Sequence, residues 1–533
     1  MPGTFELRPF ITSDNLISQT TFSTGPGNGI DDPLLFSTLG GSFLLDPNQI
    51  ASTSTALLSG QTLSVDVDFG NNSIDPVNTA MWVIDINGNI VASNNNSSPD
   101  VGSIGNADPK LQFTAAETGV YIILVAQKDN NYIDGTFEFT HTGTDTGVFM
   151  MNVGLAGLPA LATGTNGDDN IILTTAERRY DARGGADYIQ AEYSTRSVID
   201  GGGGDDSLYG SQKSDILIGG GGRDYLFGDA QNDVLVGGRG GDYLYGGDGA
   251  DQILGGIGAD YLKGDNGSDL IHGEEGDDTL IGGAGDDQLF GDYDNDWLEI
   301  DDGNDLLDGG DGQDTLYGGS IAGVLTIDLR ITTAQDTTSA GMDTIVNIET
   351  VYGTNGFGDV IFGNNQGNNL YGYGGDDQLF GLAGDDYLSG GDGNDTARGG
   401  NGVDGLNGDA GEDRLFGDAG SDYLTGGADG DRMWGGTGND YFYYNAVTDS
   451  LPGAMDILLD FDPGENDRIN FSGLPGTLVF RGYGPYQNTG GEVRIEDHTT
   501  FQKVFVNMDA NPDDEMVIRV NTSTPLVEAD FIL

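Results

Sequence analysis

The sequence predicts an all-β protein: a parallel β-roll of stacked coils, preceded by an antiparallel β-sandwich and closed by a β cap. Three observations point there. Aspartate recurs every nine residues with an aliphatic residue two places later, a short period that marks a solenoid. Glycine supplies 92 of 533 residues, enough to turn the chain at every repeat. The segments on either side alternate apolar and polar residues in short runs, the period of strands. The expected boundaries are 1–155 for the sandwich, 164–318 and 354–445 for two repeat ladders, 319–353 for an insert between them, and 446–533 for the cap.

Composition removes several functions. The chain carries 20 Lys and Arg against 86 Asp and Glu, a net charge of −66, which repels phosphate backbones and makes nucleic acid an unsuitable partner. With no Cys there is no disulfide and no thiolate chemistry. No run of about 18 apolar residues is present to span a membrane. Met1-Pro-Gly-Thr-Phe-Glu6 has no basic segment leading into an apolar one, so no Sec-type signal is expected. Hydrophobic residues at 36% and aromatics at 9% are nonetheless enough for a packed core.

In the first 155 residues, Leu63-Ser-Val-Asp-Val-Asp-Phe69 alternates strictly, placing Leu63, Val65, Val67 and Phe69 on one face. Met81 to Val91 reads as two strands about an Asn87-Gly88 turn. Gly119-Val-Tyr-Ile-Ile-Leu-Val125 and Gly135-Thr-Phe-Glu-Phe-Thr140 read as a central and an edge strand. The runs Gly60-Gln-Thr-Leu-Ser-Val-Asp-Val67, Trp82-Val-Ile-Asp-Ile-Asn-Gly-Asn89, Thr118-Gly-Val-Tyr-Ile-Ile123 and Asn130-Asn-Tyr132 are similar to bacterial pre-peptidase C-terminal domains over about 120 residues. That resemblance implies an accessory module, often attached to secreted hydrolases and without catalysis of its own.

A weak lead-in holds Asp169 and Asp187, with Arg178 between them. The first ladder is then Asp206, Asp215, Asp224, Asp233, Asp242, Asp251, Asp260, Asp269, Asp278, Asp287, Asp296, Asp305 and Asp314. The second is Asp359, Asn368, Asp377, Asp386, Asp395, Asp404, Asp413, Asp422, Asp431 and Asp440. Two residues after each stands an apolar residue, from Leu208 and Leu217 to Met433 and Phe442. In the first ladder glycine lies five places before the aspartate in twelve of thirteen repeats, Ile300 excepted. It lies two places before in ten, with Lys213, Gln231 and Asp294 departing. The unit is Gly-Gly-x-Gly-x-Asp-x-Leu-x, as in Gly237-Gly-Arg-Gly-Gly-Asp242-Tyr-Leu-Tyr245.

A three-residue strand centred on the aliphatic residue points it inward and its flanks outward. The six Gly-rich residues that follow reverse the chain, so two units close one coil of about 18 residues. Strands alternate sides, and each loop stacks on the loop two units on, which puts Asp206 beside Asp224 and Asp215 beside Asp233 at about 4.8 Å. Carboxylates that close repel unless a cation lies between them. Oxygen-only ligands on flexible loops suit a hard cation taking six to eight ligands, Ca²⁺ before Mg²⁺. Joining each loop to the one two units on allows at most about nineteen ions in the two ladders. Without them, self-repulsion opposes the roll, so calcium binding becomes part of folding.

These units resemble the RTX nonapeptide repeats of secreted bacterial proteins, across roughly residues 164–445. The resemblance implies that the ladder aspartates ligate Ca²⁺ together with loop carbonyls. Asn368, Arg178 and the glycines lost at Lys213, Gln231 and Asp294 mark the places where that pattern departs.

Between the ladders, Gly319-Ser-Ile-Ala-Gly-Val-Leu-Thr-Ile-Asp-Leu329 and Asp343-Thr-Ile-Val-Asn-Ile-Glu-Thr-Val-Tyr352 break the period and predict longer strands joining the same sheets. Thirty-five residues are too few for a separate core. In the cap, Asp449 to Leu474 resembles the end of serralysin-type RTX domains. Glu528-Ala-Asp-Phe-Ile-Leu533 resembles the acidic-then-apolar tails of type I secretion substrates, which implies export through that machinery. The alternative for the tail is a plain final strand.

No catalytic constellation emerges. His-Glu-x-x-His is absent, and His141, His272 and His498 lie far apart in sequence. Gly318-Gly-Ser320-Ile-Ala322 misses the nucleophile-elbow pattern at its last position. Gly-x-Gly-x-x-Gly recurs only as a by-product of the repeat, and pairs such as Asp286-Asp287 are one ladder member and one solvated neighbour. The chain is therefore expected to be a non-enzymatic, secreted calcium-binding structural protein of the cell surface or extracellular matrix. Outward rows of Tyr209, Tyr225, Phe227, Tyr243, Tyr245 and Tyr261, and of Ile216, Ile218, Val234, Val236, Leu254 and Leu270, suit either internal cover or a homo-oligomer or filament. The alternative function is a secreted hydrolase accessory or adhesin binding glycan through the sandwich.

Overall fold

A computed structural model describes residues 162–173, 179–194, 196–485, 487, 490–509, 515–522 and 524–533, together with eleven backbone strands between Thr4 and Ala156. Among the described residues the only helix is two 3-10 turns, Val447–Ser450 and Glu528–Asp530, so the chain is all-β. It divides into two compact units, Met1–Asp278 and Thr279–Leu533.

In the first unit, the N-terminal strands form two four-stranded antiparallel sheets and one of three strands. Thr62–Phe69 pairs with Gly147–Ala156 and Lys110–Thr114. Gly119–Gln127 is central, between Ile50–Leu57 and Thr79–Asp85. Thr79–Asp85 and Ile90–Asn95 pair as the expected hairpin, whose Asn87-Gly88 turn lies outside the described residues. Thr136–Phe139 is not the edge strand expected, since Thr4–Glu6 and Asn130–Ile133 flank it on both sides. The edge reading lacked the partner, which comes from more than 120 residues away in sequence and leaves no local mark.

From Ala162 the chain coils. Successive strands alternate between two parallel sheets, and each pairs in register with the strand one coil on, as in Tyr225↔Tyr243 and Leu226↔Leu244. Leu208, Leu217, Leu226, Leu235, Leu244 and Ile253 are wholly buried, forming the inward row that the alternation predicts. The regular strands run six residues instead of three, as in Tyr225–Ala230, because the glycine-rich positions also pair (Asp229↔Gly247, Ala230↔Asp248). Coils of identical length keep these positions in register, so the ladder resumes after Gly228 and continues toward the turn before the aspartate.

The second unit repeats this design. One sheet runs from Thr279–Ala284 through Trp297–Glu299, Thr315–Tyr317 and Thr350–Tyr352 to Tyr441–Tyr443, Arg468–Asn470 and Phe531–Ile532. The insert does not form longer strands. Met342–Val346 and Thr350–Tyr352 join existing sheets, but Thr326–Asp328 opens a new one with Val360–Phe362. Lacking the glycine pair that prolongs regular strands, most insert strands stop at two or three residues. The new sheet continues from Ile457–Leu458 to the parallel strand Met516–Val520, then antiparallel through Gln502–Asn507 and Glu492–Asp497, and ends at Val479–Gly482. The tail is a strand: Phe531–Ile532 pairs with Arg468–Asn470, with Phe531 buried.

On the outward faces, Tyr209, Phe227 and Tyr245 stack at 4.9 and 5.0 Å, and Tyr225 on Tyr243 at 4.9 Å. On the opposite face Ile216, Val234 and Leu254 are buried while Ile218, Val236 and Leu270 are half-buried, so the apolar row expected to face outward there is covered in part.

Candidate metal centre

Every sixth-position residue of both ladders, from Asp206 to Asp440, is buried at the turn before its strand. Along both ladders the backbone N–H of one aspartate donates to Oδ1 of the aspartate one coil on. In the first unit this links Asp206 to Asp224 (2.8 Å), Asp224 to Asp242 (2.8 Å), and Asp242 to Asp260 (2.7 Å). On the opposite turns it links Asp215 to Asp233 (2.6 Å), Asp233 to Asp251 (2.7 Å), and Asp251 to Asp269 (2.7 Å). The lead-in joins the first column, with Asp169 donating to Asp187 and Asp187 to Asp206. Arg178 lies outside the described residues.

In the second unit the columns cross the irregular segments through residues that the nine-residue period overlooks. Asp314 N–H donates to Glu349 Oε2 (3.0 Å) and Asp305 N–H to Asp343 Oδ1 (2.9 Å). At the far end Asp431 donates to Asp456 (3.0 Å) and Asp440 to Asp467 (3.1 Å). A local signal marks all four: each stands two places before a buried aliphatic residue, in Asp343-Thr-Ile345, Glu349-Thr-Val351, Asp456-Ile-Leu458 and Asp467-Arg-Ile469. Asn368 keeps the backbone role, donating to Asp386 Oδ1 (2.7 Å), but brings no charge. Gln231 and Asp294 adopt the left-handed φ (69° and 71°) in place of the lost glycines, so those turns close all the same.

In many of these carboxylates the second oxygen has no donor, whereas Asp215, Asp359 and Asp467 use theirs to accept the N–H groups of Ser211, Thr354 and Asp462. Oδ2 of Asp206, Asp224, Asp242 and Asp260, and of Asp377, Asp395, Asp413 and Asp422, is buried without a hydrogen bond. The glycine five places earlier explains itself against that atom. A Cβ built on Gly219 would lie 2.5 Å from Asp224 Oδ2 and 2.7 Å from the Gly237 carbonyl. On Gly255 it would lie 2.5 Å from Asp260 Oδ2 and 2.8 Å from the Gly273 carbonyl. Carboxylate and carbonyl oxygens from adjacent coils thus converge on a hollow that only glycine leaves open.

Burial raises the carboxyl pKa values, with neighbouring aspartates adding to it: Asp206 and Asp251 to about 7, Asp224 to about 8, Asp233 to about 10. In the second unit Asp377 reaches about 7 and Asp413 about 8 for the same reasons. Buried columns of anions with donorless oxygens are costly unless a cation sits among them. All-oxygen donors of this kind fit a calcium ion, held by the ladder aspartates and glycine carbonyls; bound there, it would neutralise the paired carboxylates of successive coils. Asp287, Asp301 and Asp305 bring carboxylate oxygens within 4.8 Å of one another. Asp301 was not foreseen, because it follows Ile300 at the one repeat that lacks its glycine.

Among the described residues no helix is long and apolar enough to cross a membrane. A family model for the RTX calcium-binding nonapeptide repeat matches residues 200–235, 228–262, 263–298, 290–320, 353–388, 380–415, 407–442 and 416–451. None of the curated proteins matches the chain. Among solved structures, the AlgE6R3 subunit of the Azotobacter vinelandii mannuronan C5-epimerase is 22% identical, covering 33% of this chain and 79% of that one, at a TM-score of 0.19. The catalytic unit of a GH87 α-1,3-glucanase from Streptomyces thermodiastaticus is 12% identical, covering 85% and 93%, at a TM-score of 0.15. At those scores neither likeness bears on this chain's function. The matched repeats and the buried oxygen columns agree: residues 200–320 and 353–451 are RTX calcium-binding nonapeptide repeats.

Proposed function

We propose that the chain is a secreted, non-enzymatic structural protein of the bacterial surface or extracellular matrix that folds, and then self-associates, on binding Ca²⁺. The observation that carries this reading is the pair of buried carboxylate columns, whose donorless oxygens oppose folding until a divalent cation arrives. In low calcium the chain stays open and passes a type I channel; outside, calcium closes the coils. Folding then aligns the outward tyrosine rows, such as Tyr225 on Tyr243, into a continuous contact surface. The ladder aspartates hold the ions, the N-terminal strands form an accessory sandwich, and Glu528–Leu533 carries the export signal.

The test is far-UV circular dichroism and electron microscopy on one sample, in EDTA and in millimolar calcium. A disordered chain that gains β-structure and forms filaments or layers with calcium supports the reading. Folded monomers alone in calcium would remove self-association, and full β-structure in EDTA would remove calcium-gated folding.

A further inference from the structure

The tyrosine row of the second ladder is interrupted at one place. In register, Tyr387 is followed by Gly405 and then Tyr423. The neighbouring row likewise swaps rings for small polar residues, Ser389 pairing with Asn407 and Asn407 with Thr425. Elsewhere in this sheet successive rings stack on one another, Tyr352 on Tyr371 at 4.6 Å and Tyr423 on Tyr441 at 5.3 Å. Over Gly405 a ring is missing and the Tyr387 ring leans into part of the gap, and a hollow of about 560 Å³ opens from there past Tyr423 to Tyr443 and Asp449.

We propose that this hollow binds a ring of a neutral saccharide. Tyr387 and Tyr423, 38% and 43% exposed, sit two strand spacings apart, about 10 Å, and the Tyr387 ring leans over Gly405, so a pyranose would seat between that ring and Tyr423. Their ring faces suit the apolar C–H faces of a sugar. Asn407 and Thr425 on the floor offer the short polar groups that sugar hydroxyls require. The Asp409 carboxylate is held by Asn407 Nδ2 (2.7 Å) and Ser389 Oγ (2.6 Å), and Asp449 by the N–H groups of Asn445 (2.7 Å) and Ala446 (2.9 Å). Two fixed carboxylates at the rim of a chain of net charge −66 accept hydroxyl protons and repel acidic ligands, which selects neutral sugars over uronates. The hollow is concave and lined from Tyr387 across to Tyr443 and Asp449, a shape that suits a short saccharide better than the flat sheet of a second copy.

The test is saturation-transfer NMR on the full chain in millimolar calcium, with cellobiose, maltose and N,N′-diacetylchitobiose as probes and galacturonic acid as the acidic control. Gly405→Tyr restores the missing ring. Its backbone is not in the left-handed region, and its Cβ would meet the half-exposed Tyr387 ring at 3.1 Å and the Asp386 carbonyl at 3.9 Å, so a shift of that ring accommodates it. At least one neutral disaccharide should show transfer, with its Kd rising at least ten-fold in Gly405→Tyr and in Tyr423→Ala. Circular dichroism on the same samples confirms that each chain is folded, which keeps this outcome separate from that of calcium-gated folding. No transfer from any of the three disaccharides to the folded chain would overturn the proposal. So would equal binding by the Gly405→Tyr variant, or binding of galacturonic acid as tight as that of the disaccharides.

Discussion

The backbone N–H of Asp404 donates to Oδ1 of Asp422, one coil on, at 2.9 Å, while Oδ2 of each carboxylate is buried without a donor. One oxygen of the repeat aspartate therefore builds the turn and the other is left for a cation. This division of labour makes the effect of charge removal depend on calcium.

Replacing Asp404 by Asn should have opposite signs in the two states. In calcium it removes a charged ligand and costs about 3–5 kcal/mol, the loss seen when one partner of a buried ion pair is deleted. In EDTA it removes a buried charge and raises the β content. Chemical denaturation in both buffers reads the two signs; a loss in both would mean that the carboxylate acts only as a structural acceptor.

The calcium-free roll should be an acid-stabilised fold. Aspartates 206, 224 and 251 titrate at about 7 to 8 when buried, against 3.8 unperturbed. A group with a raised folded pKa binds more protons folded than unfolded, so its stabilisation is complete below about pH 4 and is lost as pH rises through about 7 to 8. Circular dichroism in EDTA should show β-structure at about pH 4 and little at about pH 8. With calcium the trend reverses, since protons compete for the ligands and affinity falls as pH drops.

Gly417→Ala should damage a site without touching a ligand. The new Cβ would lie 2.5 Å from both Asp422 Oδ2 and the Gly435 carbonyl. Overpacking of this kind costs about 1–3 kcal/mol. Thermal unfolding in millimolar calcium should show a lower Tm, and calorimetric titration should find fewer ions bound. Unchanged stoichiometry would separate the glycine hollow from the cation.

Asp467, outside the nine-residue period, should behave as a ladder residue. It is buried and takes the Asp440 N–H at Oδ1 and the Asp462 N–H at Oδ2, as the ladder residue Asp215 takes the Ser211 N–H at its Oδ2, whereas the nearby Asp462 side chain is exposed. Asp467→Asn should lower the calcium stoichiometry of the full chain, and Asp462→Asn should leave it unchanged. Equal effects would show that the column ends at Asp440.

The core is two facing rows, one inward side chain per strand, so its members are hard to replace. Leu388 is fully buried and pairs in register with Leu370 and Leu406. Leu388→Ala should cost about 2–5 kcal/mol in calcium by denaturant titration. A smaller loss would mean that adjacent coils close over the cavity.

The all-β class, the inward Leu row and the stacking of Asp206 on Asp224 were legible in the sequence, because in a solenoid the spatial neighbour lies at a constant distance along the chain. Where that constancy fails, the period goes silent. Asp343, Glu349, Asp456 and Asp467 enter the columns after 38, 35, 25 and 27 residues, and only the folded chain brings them to their partners. Tertiary structure also decided that Thr136–Phe139 has neighbours on both sides, that Ile216 and Val234 are covered, and that Gly405 opens a hollow between two tyrosines. Each depends on contacts at variable sequence separation, or on the space a missing side chain leaves. Local pattern encodes periodicity and chemistry; only packing encodes which of those positions meet.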